Sequence, residues 1–190
     1  MTLLDKFLSR KGLYVSFWFI GIVMVAILIY YTANLAKEVP PIAKTVTSQS
    51  GELLYTYDDV AQGKGYFQQF DLMDYGTMLG MGAYMGPDFS TDFMHKRAEF
   101  LYEYFGQQKF GKSSGDLSKT ELAVVKAMTI TDFKEQTTLR EQGTTYTEVS
   151  ALAYKANVAY LVDFLVNGDK ARAWRGGIIP EEEAIKIAAF

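Results

Sequence analysis

Few side chains in this 190-residue sequence are of a kind that does chemistry, and they are scattered. Cysteine is absent, which excludes disulfides, thiolate metal sites and the Cys-x-x-Cys-His attachment of a c-type haem. The single histidine is His95. Helical spacing would put Asp92, three residues before it, and Glu99, four after it, on the same face. Such a set could offer an imidazole and two carboxylates to a cation. One imidazole cannot build a His-rich metal site or a bis-His haem, and a surface histidine among acids is the commoner outcome. Gly63-Lys64-Gly65 has the residues of a phosphate loop but not the G-x-x-x-x-G-K-[ST] spacing. Met73, Met78, Met81, Met85 and Met94 could suggest Cu(I), which thioethers bind, but methionine more often fills cores and adaptable interfaces. Asp163 lies between apolar turns, where it can pair with Lys155 or face solvent. No serine sits in a motif that would set it beside the only histidine. The stretch thus offers no catalytic, cofactor-binding or metal-binding residue.

The elements that would position these residues are mainly helical. Asp58 and Asp59 can cap a helix running to about Phe70, weakened by Gly63 and Gly65. Asp71 to Asp88 reads as a compact loop. Gly76, Gly80, Gly82 and Gly86 alternate there with Tyr75, Met78, Leu79, Met81, Tyr84 and Met85, a spacing poor for helix or strand. Ser90 or Thr91 can cap the next helix, whose stripe Met94, Ala98, Leu101 and Phe105 ends at Gly106. After a Gly111–Gly115 connector, Ser118 and Glu121 have capping-box spacing and predict a helix to about Phe133. Thr144–Val149 is β-prone. Ser150 can cap a long helix to about Val166. The stretch from Pro41 to Tyr57, rich in Thr and Ser, reads as an extended linker with one short strand. The thirteen Tyr and thirteen Phe suit either a domain resting on a membrane or a well-packed core.

From Leu13 to Ala36 no residue is charged. At about 1.5 Å per residue the segment spans roughly 36 Å, more than the ~30 Å hydrocarbon core. Trp18 near one end, and Tyr30 and Tyr31 near the other, suit the two interfaces. The segment is longer than a signal peptide's apolar region and has no small-residue cleavage site, so it reads as an uncleaved anchor. Lys6, Arg10 and Lys11 outnumber Asp5 before it, which orients the N-terminus inward and the domain outward. Val39-Pro40-Pro41 stops the helix. The net charge of −3 and the absence of basic runs give no sign of nucleic-acid binding. At the other end, Pro180 and Glu181 to Glu183 start a helix that grows apolar towards Phe190. It reads equally as a short docked helix or as the beginning of a second membrane helix.

The run from Gly63 to Arg97, GKGYFQQFDLMDYGTMLGMGAYMGPDFSTDFMHKR, resembles the outer-domain signature of quinol-dependent nitric oxide reductases, single-chain members of the haem-copper oxidase superfamily. Gly63, Phe67 and Gln68 match its first part, and Tyr75 and Gly76 its second. Gly80, Gly82 and Tyr84 match the third, Gly86, Pro87, Asp88, Phe89 and Ser90 the fourth, and Met94 and His95 its end. Met81 departs from the pattern, standing where many relatives carry His, which puts in doubt any polar role of that position.

The resemblance implies a cytochrome c-like helical domain that has lost its haem, and a longer enzyme of which this is the N-terminal portion. That enzyme would reduce two NO to N2O and water with electrons from membrane quinol. Its two b haems and non-haem iron would be held by His and Glu on later membrane helices, so the motif residues carry structure only. The implied organisation is a cytoplasmic N-terminus (1–12), a transmembrane helix (13–36), a periplasmic domain (37–179) and the start of a second membrane helix (180–190). The expected partners are the membrane, the remainder of the catalytic subunit, quinol and NO. The domain would cap the catalytic subunit, with Asp71–Phe89 as the contact. Rival readings are a separate membrane-anchored accessory subunit and a periplasmic sensor or binding module.

Overall fold

The computed structural model describes residues 9–38, 42–83, 85–136 and 143–190. Asp5, Lys6, Val39, Pro40, Pro41 and the motif residue Tyr84 lie outside the described residues. Two units emerge, 1–40 and 41–190.

Among the described residues the first unit is one helix, α1 (Arg10–Glu38). The Ser9 hydroxyl accepts from Gly12 N–H at 3.1 Å and opens it. Large apolar side chains from Leu13 to Leu35 are exposed around the whole circumference. A helix apolar on every face has no preferred side to bury in a small domain and matches lipid instead. The chain is membrane-anchored, and the expected span Leu13–Ala36 falls within α1.

The second unit begins with a β-hairpin rather than a linker with one strand. β1 (Thr45–Ser48) pairs antiparallel with β2 (Leu53–Thr56), Val46 opposite Tyr55. Gly51, at φ +87°, makes the turn. β3 (Thr144–Tyr146) adds to the other edge of β1 in parallel, giving the order β2-β1-β3. Val46 and Tyr146 then meet Ala43 and Ala151 in a small core.

α2 (Tyr57–Gln69) starts one position before the expected cap. Thr56 caps it: its Oγ1 accepts from Asp59 N–H at 3.2 Å, and Asp59 Oδ2 accepts from Thr56 N–H at 2.8 Å. Asp59 is the reciprocal partner of a capping box, not the cap. A single helical turn, α3 (Leu72–Tyr75), follows. α4 (Phe89–Phe110) is capped by Asp88 rather than by Ser90 or Thr91. It also runs past Phe105. Gly106 stays inside it because a Cβ there would come within 3.0 Å of Lys112 O, and Gly111, at φ +63°, ends it instead. A 3₁₀ turn at Ser114–Asp116 leads to α5 (Lys119–Gln136). Its Ser118–Glu121 capping box forms as the spacing predicts, with Ser118 N–H donating to Glu121 Oε2 at 2.7 Å. α6 (Glu148–Asn167) is capped by Thr147, which accepts from Ser150 N–H at 3.1 Å. Ser150 itself is buried in the first turn. α6 is also long and apolar enough to cross a membrane, but it buries Ala151, Ala153, Phe164 and Leu165 inside the domain. A two-residue ribbon of β4 (Gly168–Asp169) and β5 (Trp174–Arg175) follows.

The last element, α7 (Glu181–Ala189), belongs to the domain. Ala184, Ile187 and Ala188 are buried, and Ala184 and Ile187 share the main core with Phe67, Leu72, Phe89, Phe164 and Leu165. Where α2 crosses it, a Cβ on Gly63 would stand 2.0 Å from Lys186 O. Lys186 also forms an ion pair with Asp59, and the Phe190 ring lies edge-on to Phe67 at 5.6 Å. Of the two readings of 180–190, the packing is that of a docked helix. Ala184 and Ile187 fill the core, while Ile185 and Phe190 stay exposed.

Candidate functional site

The loop between α3 and α4 holds Gly76, Gly80, Gly82, Gly86, Pro87 and Asp88 of the motif, and its base is tightly built. Gly86 N–H donates to Tyr75 O at 2.8 Å, Thr77 N–H to Pro87 O at 3.1 Å and Phe89 N–H to Thr77 O at 2.8 Å. The two legs run so close that Gly76 and Gly86 have no room for a side chain. A Cβ on Gly76 would lie 2.6 Å from Pro87 O, and one on Gly86 2.5 Å from Tyr75 O. Asp88 ties the loop to α4. Its Oδ1 accepts from Thr91 N–H at 2.9 Å, and its Oδ2 accepts from the Thr77 hydroxyl at 2.8 Å and Gly80 N–H at 2.6 Å. The bond from Thr91, helped by Thr77 and Gly80, holds the Asp88 carboxyl down at about 2.

The loop's tip points the other way. Leu79 is 81% exposed, Met81 77% and Met85 69%. Leu79 is in the left-handed region at φ +58°, with Gly80 and Gly82 at +77° and +75°. For a residue with a Cβ that conformation costs about 1–2 kcal/mol. It is held by Leu79 N–H on Ser90 Oγ at 3.1 Å and by Gly80 N–H on Asp88.

Tyr75 faces inward. Its ring packs on Trp174 at 4.8 Å between centroids, and its hydroxyl donates to Arg172 O at 2.7 Å. Tyr75 therefore fastens the loop to its own domain. Arg172 in turn grips α4 and α6. Its Nη1 donates to Asp92 Oδ2 at 3.0 Å and to the Tyr160 hydroxyl at 2.6 Å, and that hydroxyl donates to Asp92 at 2.8 Å. Burial and the bond to Asp92 push the Tyr160 hydroxyl up to about 12.

Beside the loop lies an apolar crevice of about 300 Å³, walled by Phe67, Phe89, Phe93, Met94 and Leu161, with Phe190 at its edge. Tyr55, Tyr146 and Tyr154 close one side, with the Tyr55 and Tyr146 hydroxyls 3.0 Å apart. Burial, reinforced by Tyr146, pushes the Tyr55 and Tyr154 hydroxyls up, so both stay protonated. Arg97 also lines the crevice.

The other positions singled out in the sequence are dispersed. His95 is exposed and meets Glu99 at 3.1 Å, but Asp92 turns to Arg172 instead, so the three never converge. Among the described residues no group of three or more His, Asp or Glu could hold a metal ion. Phe67 is buried in the core, while Gln68 lies exposed on α2 and its carbonyl accepts from Asp71 N–H. Lys64 lies between Gly63 and Gly65 on α2, not in a phosphate loop. Asp163 accepts from Asn167 at 2.7 Å, and Lys155 pairs with Glu52. The methionines divide: Met78 packs on the core, and Met73, Met81, Met85 and Met94 are exposed.

Sequence reasoning missed a buried polar knot. Arg97 of α4 donates to Asp132 Oδ2 of α5 at 3.0 Å and to Ser150 Oγ of α6 at 3.1 Å, while the Ser150 hydroxyl donates to Asp132 at 2.7 Å. Its one signal was Asp132 itself, an acid in the apolar company of Ile130 and Phe133.

These features define a class: a mainly helical domain on an apolar anchor, with an aromatic-walled crevice and a fastened glycine loop. Its donors do not suit haem, since no thiol is present and the one imidazole is exposed and turned to a carboxylate. The family model for the cytochrome c-like domain of the NorB subunit of nitric oxide reductase matches residues 43–190, and the chain belongs to that family. No curated protein matches it closely enough to add to this assignment.

Proposed function

We propose that the chain is the anchor and outer domain of a quinol-dependent nitric oxide reductase. In that reaction quinol gives up two electrons and two protons, and two NO become N2O and one water. The observation that carries this reading is a cytochrome c-like domain with no cysteine. Such a domain has no covalent haem through which a soluble cytochrome could pass electrons, so a donor that reaches the membrane sector directly fits best. The b haems and iron belong to polypeptide other than these residues. The domain is a cap on the outer surface of that sector, and the N-terminus before α1 is cytoplasmic. The motif residues Gly63, Phe67, Gln68, Tyr75, Gly76, Gly80, Gly82, Tyr84, Gly86, Pro87, Asp88 and His95 are structural. The supports are close backbone approaches at Gly63, Gly76 and Gly86, positive φ at Gly80 and Gly82, and the Asp88 cap.

The test is NO consumption by membranes holding the full-length protein, supplied with a water-soluble quinol or with reduced cytochrome c. Quinol alone should support turnover. Equal turnover with cytochrome c overturns the reading.

A further inference from the structure

The tip of the α3–α4 loop combines features that are hard to explain in a domain surrounded by water. Its base has close glycine contacts, a three-bonded carboxylate and an inward tyrosine, so its shape is fixed. Yet that rigid base presents Leu79, Met81 and Met85 to solvent. Leu79 is held in a conformation that glycine would adopt without cost, two residues from Met81. A base already held in shape removes part of the entropy of ordering the loop on contact. Isolated exposed apolar residues are ordinary, but a group of three on one fastened loop marks a docking surface.

Charge indicates what receives it. No Lys or Arg lies between Lys64 and Lys96, while Asp71, Asp74, Asp88 and Asp92 do. Asp92 is neutralised by Arg172, and Asp71 and Asp74 are exposed just before the loop. A loop bound for an anionic lipid surface would carry cations, each contributing about 1 kcal/mol near that surface. This one carries carboxylates, which such a surface repels. From Tyr75 to Pro87 the sequence has no charge at all. An apolar tip with an acidic flank fits an apolar recess in protein whose rim is basic. Methionine suits such a recess because its unbranched chain adapts to the shape it meets.

We infer that Leu79, Met81 and Met85 dock in an apolar, Lys/Arg-rimmed recess on the outer face of the reductase's membrane-embedded sector. This rests on the proposed function and names the partner surface of the cap.

A photo-reactive benzoylphenylalanine at position 81 of the full-length protein, irradiated in native membranes, tests it. An equivalent probe at Ile130, exposed on α5, is the control. The expected result is at least about tenfold more protein adduct at 81 than at 130, mapping to an outer-face segment of the membrane-embedded sector. Asp71→Lys with Asp74→Lys should lower that yield severalfold. Adducts to lipid alone, a yield equal to the control, or no response to the charge reversal would each overturn the inference. A second probe at Met85 guards against a local defect at 81 and should give the same map. Failure of the proposed function reads separately, as membranes that consume no NO with quinol while the adduct map is unchanged.

Discussion

At the crossing of α2 and α7, glycine lets two backbones meet; at the tip of the α3–α4 loop it lets one backbone turn away from everything. Gly63 is buried, and its missing side chain brings α2 against Lys186 O. A Cβ on Gly80 or Gly82 would meet nothing within 4 Å, so what these glycines supply is their positive φ. The first kind of glycine is a packing requirement of the domain. The second shapes a surface that the domain does not use for its own stability. A sequence motif containing both mixes residues needed to fold with residues needed to be met by something else.

The comparison breaks first at Gly63. Gly63→Ala puts a methyl group into Lys186 O, so α7 must shift and release the Asp59–Lys186 pair. A loss of about 3 kcal/mol is expected, the upper range for overpacking a core. Urea unfolding of the full chain in detergent measures it; a loss below about 0.5 kcal/mol would mean the crossing is looser than described. The next effect is at the loop's base. The Asp88 carboxyl is depressed to about 2, so its contribution is complete above the ordinary carboxylate value near 4 and is lost as pH falls through about 2. Proteolysis at the tip by an acid protease should therefore quicken between about pH 4 and pH 2. Asp88→Asn should be cut quickly throughout that range, and a wild-type rate flat with pH would remove Asp88 as the tie. The smallest effect is at the tip. Leu79→Gly relieves the left-handed leucine but adds chain entropy, a net gain of roughly 0.5 kcal/mol. A loss of 1 kcal/mol or more, by the same urea titration, would show that the Leu79 side chain packs on the domain after all.

Local signals were legible in the sequence where both partners lie within a few residues. Ser118 and Glu121 spell their own capping box, and the loop between Tyr75 and Phe89 shows itself by glycines among bulky residues. Signals failed where one partner was distant. Asp59 looked like a cap because nothing in the spacing favours Thr56 over it. Gly106 looked like a helix end because the Lys112 carbonyl that packs on it is not a local helix contact. The inward turn of Tyr75 depends on Trp174, and the parallel pairing of β3 with β1 joins segments about a hundred residues apart. The apolar helix α1 was legible, since an uninterrupted apolar run needs no partner to be recognised.

The knot of Arg97, Asp132 and Ser150 draws one member from each of three helices, and Arg97 and Asp132 are only 12% and 7% exposed. Sliding α4 against α5 would strand an ion away from water, a penalty of several kcal/mol. The trio thus acts as a locating pin that fixes the register of α4 against α5, with α6 tied to both through one hydroxyl.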